Sequence, residues 1–382
     1  MHFPQAWQLA LQKLVPLKSK KSAVKVSGAS GKRKDTYSLE SRQTGIIKFK
    51  NLELLANNPS CVTVIFIHYH PREWFAPGFL RLIESACHSG FRVVVVSNSR
   101  PSRALTSLRL DNLLYVQRSN IGYDFGALRD VRVLLKGHGL IADGRYVLMN
   151  SSMINIASHG FGADPILDQL TDSSCDDDLL SITTSYEGGV YHIQTYFYSM
   201  SGRLFGSNAY DEFLEFYWQG LSEKGLSPRD YAIKYGELRF TSWAIKAGFR
   251  VNSLFENLHL PSNQQYSRMA ALGNKLLPCI MHSSEDTSAV KDNFQHLIQT
   301  LSLEWLPKPG LQHNPSQAWW ALLISSNFLF IKREVLEAPH HIGSHAASAA
   351  SLLMPILEEL EITIPDWSDL HVINRLVHAS RK

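Results

Sequence analysis

Residues Arg118 to Ala127 read RSNIGYDFGA and bring together a carboxamide, an aromatic ring and a carboxylate, on Asn120, Tyr123 and Asp124. Gly122 and Gly126 are interleaved with them and let the backbone approach a bulky group closely. This set suits a sugar or a sugar nucleotide. The competing reading assigns the two glycines to the geometry of a turn alone. The apolar run Leu113-Leu114-Tyr115-Val116 precedes the decapeptide and a helix-like stretch from Leu128 to Leu135 follows it. The reactive side chains therefore occupy a strand-to-helix turn, the place where open α/β sheets bind ligands.

An α/β frame must position that turn. Val62 to His68 reads as a buried strand, Trp74 to Ser89 as a helix and Phe91 to Ser97 as a second strand; Leu113 to Val116 and Tyr146 to Met149 continue the series. Alternation of this kind implies a mostly parallel sheet with right-handed crossovers and flanking helices. Leu179 to Thr183 and Thr195 to Tyr198 read as later strands, and Tyr210 to Gln219 as an aromatic-rich helix. Arg239 to Ala247 reads as a helix stopped by Gly248, and the chain turns helical after about residue 285, with Trp319 to Phe330 strongly apolar. Three parts result: a basic segment over 1–50 with a short amphipathic helix, an α/β domain over 55–285 and a helical extension over 286–382. In such a sheet Tyr69, at the end of the first strand, and Ser97 with Asn98, at the end of the second, lie where a nucleobase and ribose are received.

Composition narrows the function. The chain has 382 residues, 45% hydrophobic and 19% charged, enough for a sizeable core. Its apolar runs are strand-sized, well short of the roughly 20 residues of a membrane span. The first fifty residues hold eleven Lys and Arg against Asp35 and Glu40, a balance of +9 that leaves −5 for the rest. Phe3, Trp7, Leu11 and Leu14 fall on one helical face ahead of the basic run. Two readings stand for this segment: an anchor to an anionic membrane surface, or a solvated tail. A nucleic-acid partner is not expected, because the α/β part is negative overall. Cys61, Cys87, Cys175 and Cys279 are scattered, which suits a reducing cytoplasm.

Several motifs fail on inspection. Gly28 to Lys32 lacks the rest of a phosphate loop, no nucleophile elbow occurs, and His341 with His345 reads as an exposed cluster rather than a metal pair. Asp176-Asp177-Asp178 looks like an Asp-x-Asp metal motif but lies in a polar stretch, where a solvated loop is the plainer reading. His192 and Gln194 alternate along an expected strand and so share a face; they either contact acceptor or phosphate or serve the structure.

The sequence resembles the rhamnan synthesis protein F family of bacterial polysaccharide glycosyltransferases. Asn120-Ile121-Gly122-Tyr123-Asp124-Phe125-Gly126-Ala127 matches its most distinctive motif. His192-Ile193-Gln194-Thr195-Tyr196-Phe197, Asn314-Pro315 and Phe330-Ile331-Lys332-Arg333 are similar to its later ones. The resemblance covers roughly residues 60 to 340. It implies a GT-A-like fold, a nucleotide-sugar donor, a glycan or lipid-linked glycan acceptor, and a role in cell-surface polysaccharide or lipopolysaccharide synthesis. Read with the scattered cysteines and the basic amphipathic N-terminal segment, this places the expected enzyme in the cytoplasm, peripheral on the inner face of the plasma membrane. Glu237 resembles the acidic residue at a helix start that serves inverting GT-A enzymes as base, although a carboxylate there also simply favours a helix N-terminus. The family's Asn-Asp-Ser after the fourth strand is here Asn150-Ser151-Ser152. Asn150 and Ser152 remain as donor-binding candidates, while Ser151 is a far weaker ligand for Mg²⁺ or Mn²⁺ than a carboxylate. Asp124 could hold a cation instead, or Arg118 and Arg129 could neutralise phosphate without one. The contrasting reading is a noncatalytic sugar-nucleotide-binding or scaffolding subunit.

Overall fold

The computed structural model describes residues 44–70, 75–99, 113–186, 189–222, 226–255, 314–318, 320–337 and 353–368, the last without 355, 359 and 367. The expected helix at residues 3–14, the basic run, Gly28 to Lys32, Cys279, His341 and His345 lie outside them.

The strands in chain order are β1 (Ile46–Lys50), β2 (Val62–His68), β3 (Arg92–Ser97), β4 (Leu113–Arg118), β5 (Arg145–Asn150), β6 (Met153–Asn155), β7 (Leu179–Ser181), β8 (Thr184–Ser185), β9 (His192–Ile193), β10 (Phe197–Ser201), β11 (Val251–Ser253) and β12 (Phe330–Lys332). Eight form one sheet in the order β1-β4-β3-β2-β5-β10-β7-β11. Pairing is parallel from β4 through β3 and β2 to β5, and again between β7 and β11; β1 and β10 run antiparallel to their neighbours. The expected α/β class, a mostly parallel sheet flanked by helices, is what the chain builds.

The uninterrupted apolar runs dictate burial on both faces. Val62, Val64 and Phe66 of β2 pack with Phe79, Leu82 and Ile83 of α1 (Pro77–His88), whereas Ile65 and Ile67 face Leu128 and Val131 of α2 (Tyr123–Gly137). On the second face lie also Phe213 and Tyr217 of α3 (Asn208–Gln219) and Phe240 of α4 (Leu238–Lys246). The described C-terminal residues join the first face: Trp320, Leu323 and Ile324 are buried there, and β12 pairs antiparallel with β6.

Three elements differ from the sequence reading. Ile46–Lys50, inside the expected N-terminal segment, is an edge strand on β4. Phe330–Lys332 is a strand rather than the end of a helix. Helical structure ahead of Gly248 begins at Pro228, not at Arg239, and includes a π-helical stretch, Ala232–Glu237. Gly248 does end it, at φ 84°. Among the described residues no helix is long and apolar enough to cross a membrane.

Candidate functional site

The parallel strands end on one edge of the sheet, and the turn after β4 is fixed there by long-range contacts. Arg118 is fully buried; its Nε donates to Asp130 Oδ2 (2.9 Å), Nη1 to Asn98 Oδ1 (2.8 Å) and Nη2 to the Ile121 carbonyl (2.7 Å). Tyr217 donates its hydroxyl to the Gly122 carbonyl at 3.0 Å. A Cβ on Gly126 would lie 2.2 Å from the Ile121 carbonyl oxygen, so only glycine closes this turn. Tyr123 takes φ 49°, a left-handed backbone that non-glycine residues rarely adopt and that costs about 1 to 3 kcal/mol. Packing from three directions holds that strain where the decapeptide meets the sheet edge.

Asp124 stands in the first turn of α2 and accepts a hydrogen bond from Asn150 Nδ2 at 2.8 Å. Asn150 Oδ1 accepts in turn from the Ser152 amide at 3.1 Å and from the Ser152 hydroxyl. Burial pushes the Asp124 carboxyl up to about 6; the Glu237 carboxylate adds to the rise, while the Asn150 hydrogen bond and the Arg118 charge oppose it. Between 3.8 and about 6 the folded protein holds a proton that the unfolded chain releases. The stability this gives is present at low pH and lost as pH rises through the folded value. Asp124→Asn removes that titration, so its melting temperature should gain on that of the wild type between about pH 4.5 and about pH 7.5. A difference that does not vary with pH would contradict the raised value.

Glu237 sits inside the helical stretch that starts at Pro228, so a role in favouring a helix N-terminus is removed. Its carboxylate is turned to the sheet edge, where the Thr195 amide donates to Oε1 at 3.4 Å. Thr195 adjoins Tyr196, whose carbonyl accepts from the Asn150 amide at 3.0 Å, and this contact brings Glu237 to the same edge as Asp124. The close approach depends on Gly236, where a Cβ would lie 2.4 Å from Phe125 Cδ2. A π-helical turn at that point is the kind of irregularity often found where a side chain is aimed at a site.

Tyr69 is 48% exposed at the end of β2, and its backbone is tied to Ser151: the Tyr69 amide donates to Ser151 Oγ (3.1 Å), which donates to the Tyr69 carbonyl (3.2 Å). Ser97 is buried and donates to the Ser99 carbonyl. Asn98 Nδ2 and Asn120 Oδ1 are buried with no partner among the described residues, a donor and an acceptor at the edge where ligand is expected. His192 and Gln194 are held by the protein. His192 Nδ1 bonds the Val190 carbonyl at 2.8 Å, and Gln194 joins Thr183 to Asn314 and Ser316. Gln194 with Asn314 thus links two of the motifs on which the resemblance rests, across 120 positions.

The charges read as phosphate partners are engaged elsewhere. Arg129 is buried against Glu215 at 3.0 Å and lies 4.4 Å from the Trp218 ring, and Arg118 is committed as above. Asp176 to Asp178 lie at the opposite end of the sheet, because Arg145, the first residue of β5, bonds the Asp177 carbonyl. There Asp178 caps Ser201, Arg203 and the Arg250 amide, and it is not a metal ligand of the site.

The divalent cation implied by the resemblance finds few ligands at the same turn. Ser151 directs its hydroxyl to the Tyr69 backbone, and Asn150 presents an N–H rather than an oxygen to Asp124. Among the described residues no group of three or more His, Cys, Asp or Glu side chains could hold a metal ion. Among the described residues, the side chains at this turn do not by themselves complete a cation site.

Residues 93–277 match the family model described as Rhamnan synthesis protein F. The resemblance read from the sequence is shown. The rhamnan synthesis protein F match covers the turn, Asn150, Thr195 and Glu237, while Asn314 and β12 lie beyond it and are joined to it by Gln194 and by β6. No curated protein sequence matches the chain. Similar solved structures are glycosyltransferases. GlyE of Streptococcus pneumoniae TIGR4 is 12% identical at TM-score 0.35, over 83% of this chain and 63% of its own length. The mannosyltransferase PcManGT of Pyrobaculum calidifontis, solved with GDP-Man and Mn²⁺, is 13% identical at TM-score 0.29, over 78% of this chain and 86% of its own. The galactosyltransferase LgtC, solved with donor and acceptor sugar analogues, is 9% identical at TM-score 0.31, over 80% of this chain and 98% of its own. At TM-scores this low these likenesses decide nothing about the site.

Proposed function

We propose that the protein is a glycosyltransferase that moves a sugar, a deoxyhexose such as rhamnose, from a nucleotide-activated donor to a growing cell-surface polysaccharide or lipopolysaccharide. The observation that carries this reading is the pair Asp124 and Glu237, brought to one edge of the sheet inside the segment that matches the rhamnan synthesis family model. An acceptor hydroxyl oxygen bonds to the anomeric carbon as the bond from that carbon to the diphosphate oxygen breaks, and its electron pair leaves with the nucleoside diphosphate. Glu237 takes the acceptor's proton as the acceptor attacks in a single displacement from the face opposite the diphosphate, and that displacement inverts the anomeric centre. Asp124 contacts the sugar or ribose. Asn98 Nδ2 and Asn120 Oδ1, lacking partners among the described residues, support a donor site at Tyr69, Ser97, Asn98, Asn120, Gly122, Tyr123, Gly126, Asn150 and Ser152. In this reading the transferase unit is residues 55–285 and residues 286–382 are a helical C-terminal extension.

The test is a panel of nucleotide sugars offered to the purified protein with glycan and lipid-linked acceptors, reading nucleoside diphosphate release. Release with one donor supports transfer. Binding of a donor with no release on any acceptor would favour a noncatalytic subunit.

Membrane attachment belongs to the basic N-terminal segment in this reading, with the enzyme on the cytoplasmic face. Because the Gly45 amide donates to Asp130 Oδ2 at 2.8 Å, a clean deletion stops ahead of it, at residue 42. Removal of residues 1–42 should leave release on a soluble acceptor analogue intact and abolish sedimentation with anionic liposomes. Unchanged sedimentation would contradict the anchor.

A further inference from the structure

Asp124 and Glu237 stand on different elements, the first in α2 and the second on the helical stretch leading into α4. One short segment, Ile193 to Tyr196, touches both sides. The Ile193 amide donates to Thr241 Oγ1 at 2.8 Å and the Thr195 amide to Glu237 Oε1 at 3.4 Å, two contacts one helical turn apart. The Tyr196 carbonyl accepts from the Asn150 amide at 3.0 Å, and the Asn150 side chain donates to Asp124. The segment is thus a strap between the Glu237 helix and the Asp124 turn.

The buried Gln194 side chain pins this strap to a distant part of the chain. Its carboxamide is oriented by the Ser316 amide, which can only donate and lies 3.4 Å from Oε1, so that Nε2 donates to Asn314 Oδ1 at 2.5 Å. Oε1 also accepts from the Thr183 hydroxyl at 2.7 Å. The Thr183 proton is spent there, so the Tyr196 hydroxyl is the donor in its 2.6 Å bond to Thr183 Oγ1. Asn314 Oδ1 accepts a second bond, from Ser316 Oγ at 2.6 Å. The position therefore calls for an acceptor at one end and a donor at the other, which a carboxamide supplies and a carboxylate does not. In a network closed to water, loss of one member strands its partners.

We propose that Gln194 and Asn314 are positioning residues, and that the strap they anchor holds Glu237 facing Asp124. Neither is assigned a contact with the reacting atoms. The inference rests on the reading of Glu237 as the base. It gives His192-Ile193-Gln194-Thr195-Tyr196-Phe197 and Asn314-Pro315 one shared task, and it brings a segment outside the family match to the reacting end of the molecule.

The experiment is a double-mutant cycle on the full chain. Gln194→Ala and Asn314→Ala are each made in the wild type and in Glu237→Gln, and thermal melting selects those that keep a cooperative fold. Asn314 is only partly buried, so its variant carries the test where Gln194→Ala fails to fold. In the wild type each should lower turnover about tenfold to 10²-fold, the scale of a misplaced catalytic group, with donor affinity unchanged. In Glu237→Gln either should change turnover little, because the group they position is already lost. Undiminished turnover in both variants, or equal falls in both backgrounds, would overturn the inference and leave Glu237 as base. Wild-type turnover in Glu237→Gln would overturn the base and the inference together. A titration of the Asp124 carboxyl needs no transfer. The Glu237 carboxylate raises it, so Asn314→Ala should bring it down in the wild type and no further in Glu237→Gln. An Asp124 value unmoved by Asn314→Ala would overturn the strap even in a protein that transfers nothing.

Discussion

Glu237→Gln should lower transfer by about 10² to 10⁴ while donor affinity changes little. The amide keeps the shape of the carboxylate and can still accept from the Thr195 amide, which now lies 3.4 Å from Oε1. What it loses is the ability to take a proton from the acceptor. The same substitution removes a negative charge that pushes Asp124 upward, so the Asp124 carboxyl should titrate lower in this variant. Steady-state release with saturating donor checks the rate, and a carboxyl-resolved titration checks the coupling. Wild-type turnover in Glu237→Gln would send the search for a base to other groups at the sheet edge, beginning with Asp124.

Arg118→Met should destabilise the fold by about 3 to 5 kcal/mol. The side chain is buried together with Asp130, and its removal leaves that carboxylate without its principal partner in a site closed to water. It also releases the Asn98 carboxamide and the Ile121 carbonyl, so the turn that carries Tyr123 and Asp124 loses its brace. Urea denaturation monitored by tryptophan fluorescence gives the loss directly. Replacing both partners, Arg118→Met with Asp130→Leu, should recover part of it, because an apolar pair does not strand a charge. A single variant as stable as the wild type would show that the ion pair is not what fixes the turn.

The two predictions differ in how far the sequence anticipates them. Strands β2 to β5 are legible because each is an apolar run buried on both faces, and the Gly-rich turn is legible because its residue types repeat a known motif. Glu237 is visible as an acidic residue just ahead of the helix Arg239 to Ala247, but the helical stretch from Pro228 that contains it is not. Glycine costs about 1 kcal/mol inside a helix, and the close packing of Gly236 against Phe125 offsets that cost. Arg118 reads equally well as a phosphate ligand or a structural brace. The choice is made by Asn98 and Asp130, which sequence does not place beside it. Ser151 shows the same limit: its neutral hydroxyl is plain in the sequence, but its bonds to Tyr69 join positions 82 residues apart. Strand alternation leaves Gln194 open between a site role and a structural one, and its bond to Asn314, on a distant segment, is not legible in the sequence. Arg333 belongs to a motif recognised by similarity, and only the pairing of β12 with β6 brings it to the carbonyls of Ser151 and Ser152.

Amide hydrogen exchange, with and without the nucleotide sugar identified by the release assay, bears most directly on the assignment of this sheet edge. Donor should slow exchange in residues 119–126 and 149–153, the two turns joined by the hydrogen bond from Asn150 to Asp124. Exchange near Asp176 to Asp178, at the other end of the sheet, should be unaffected. Protection confined to that opposite end, with both turns exchanging as in the free protein, would contradict the site and the chemistry assigned to it.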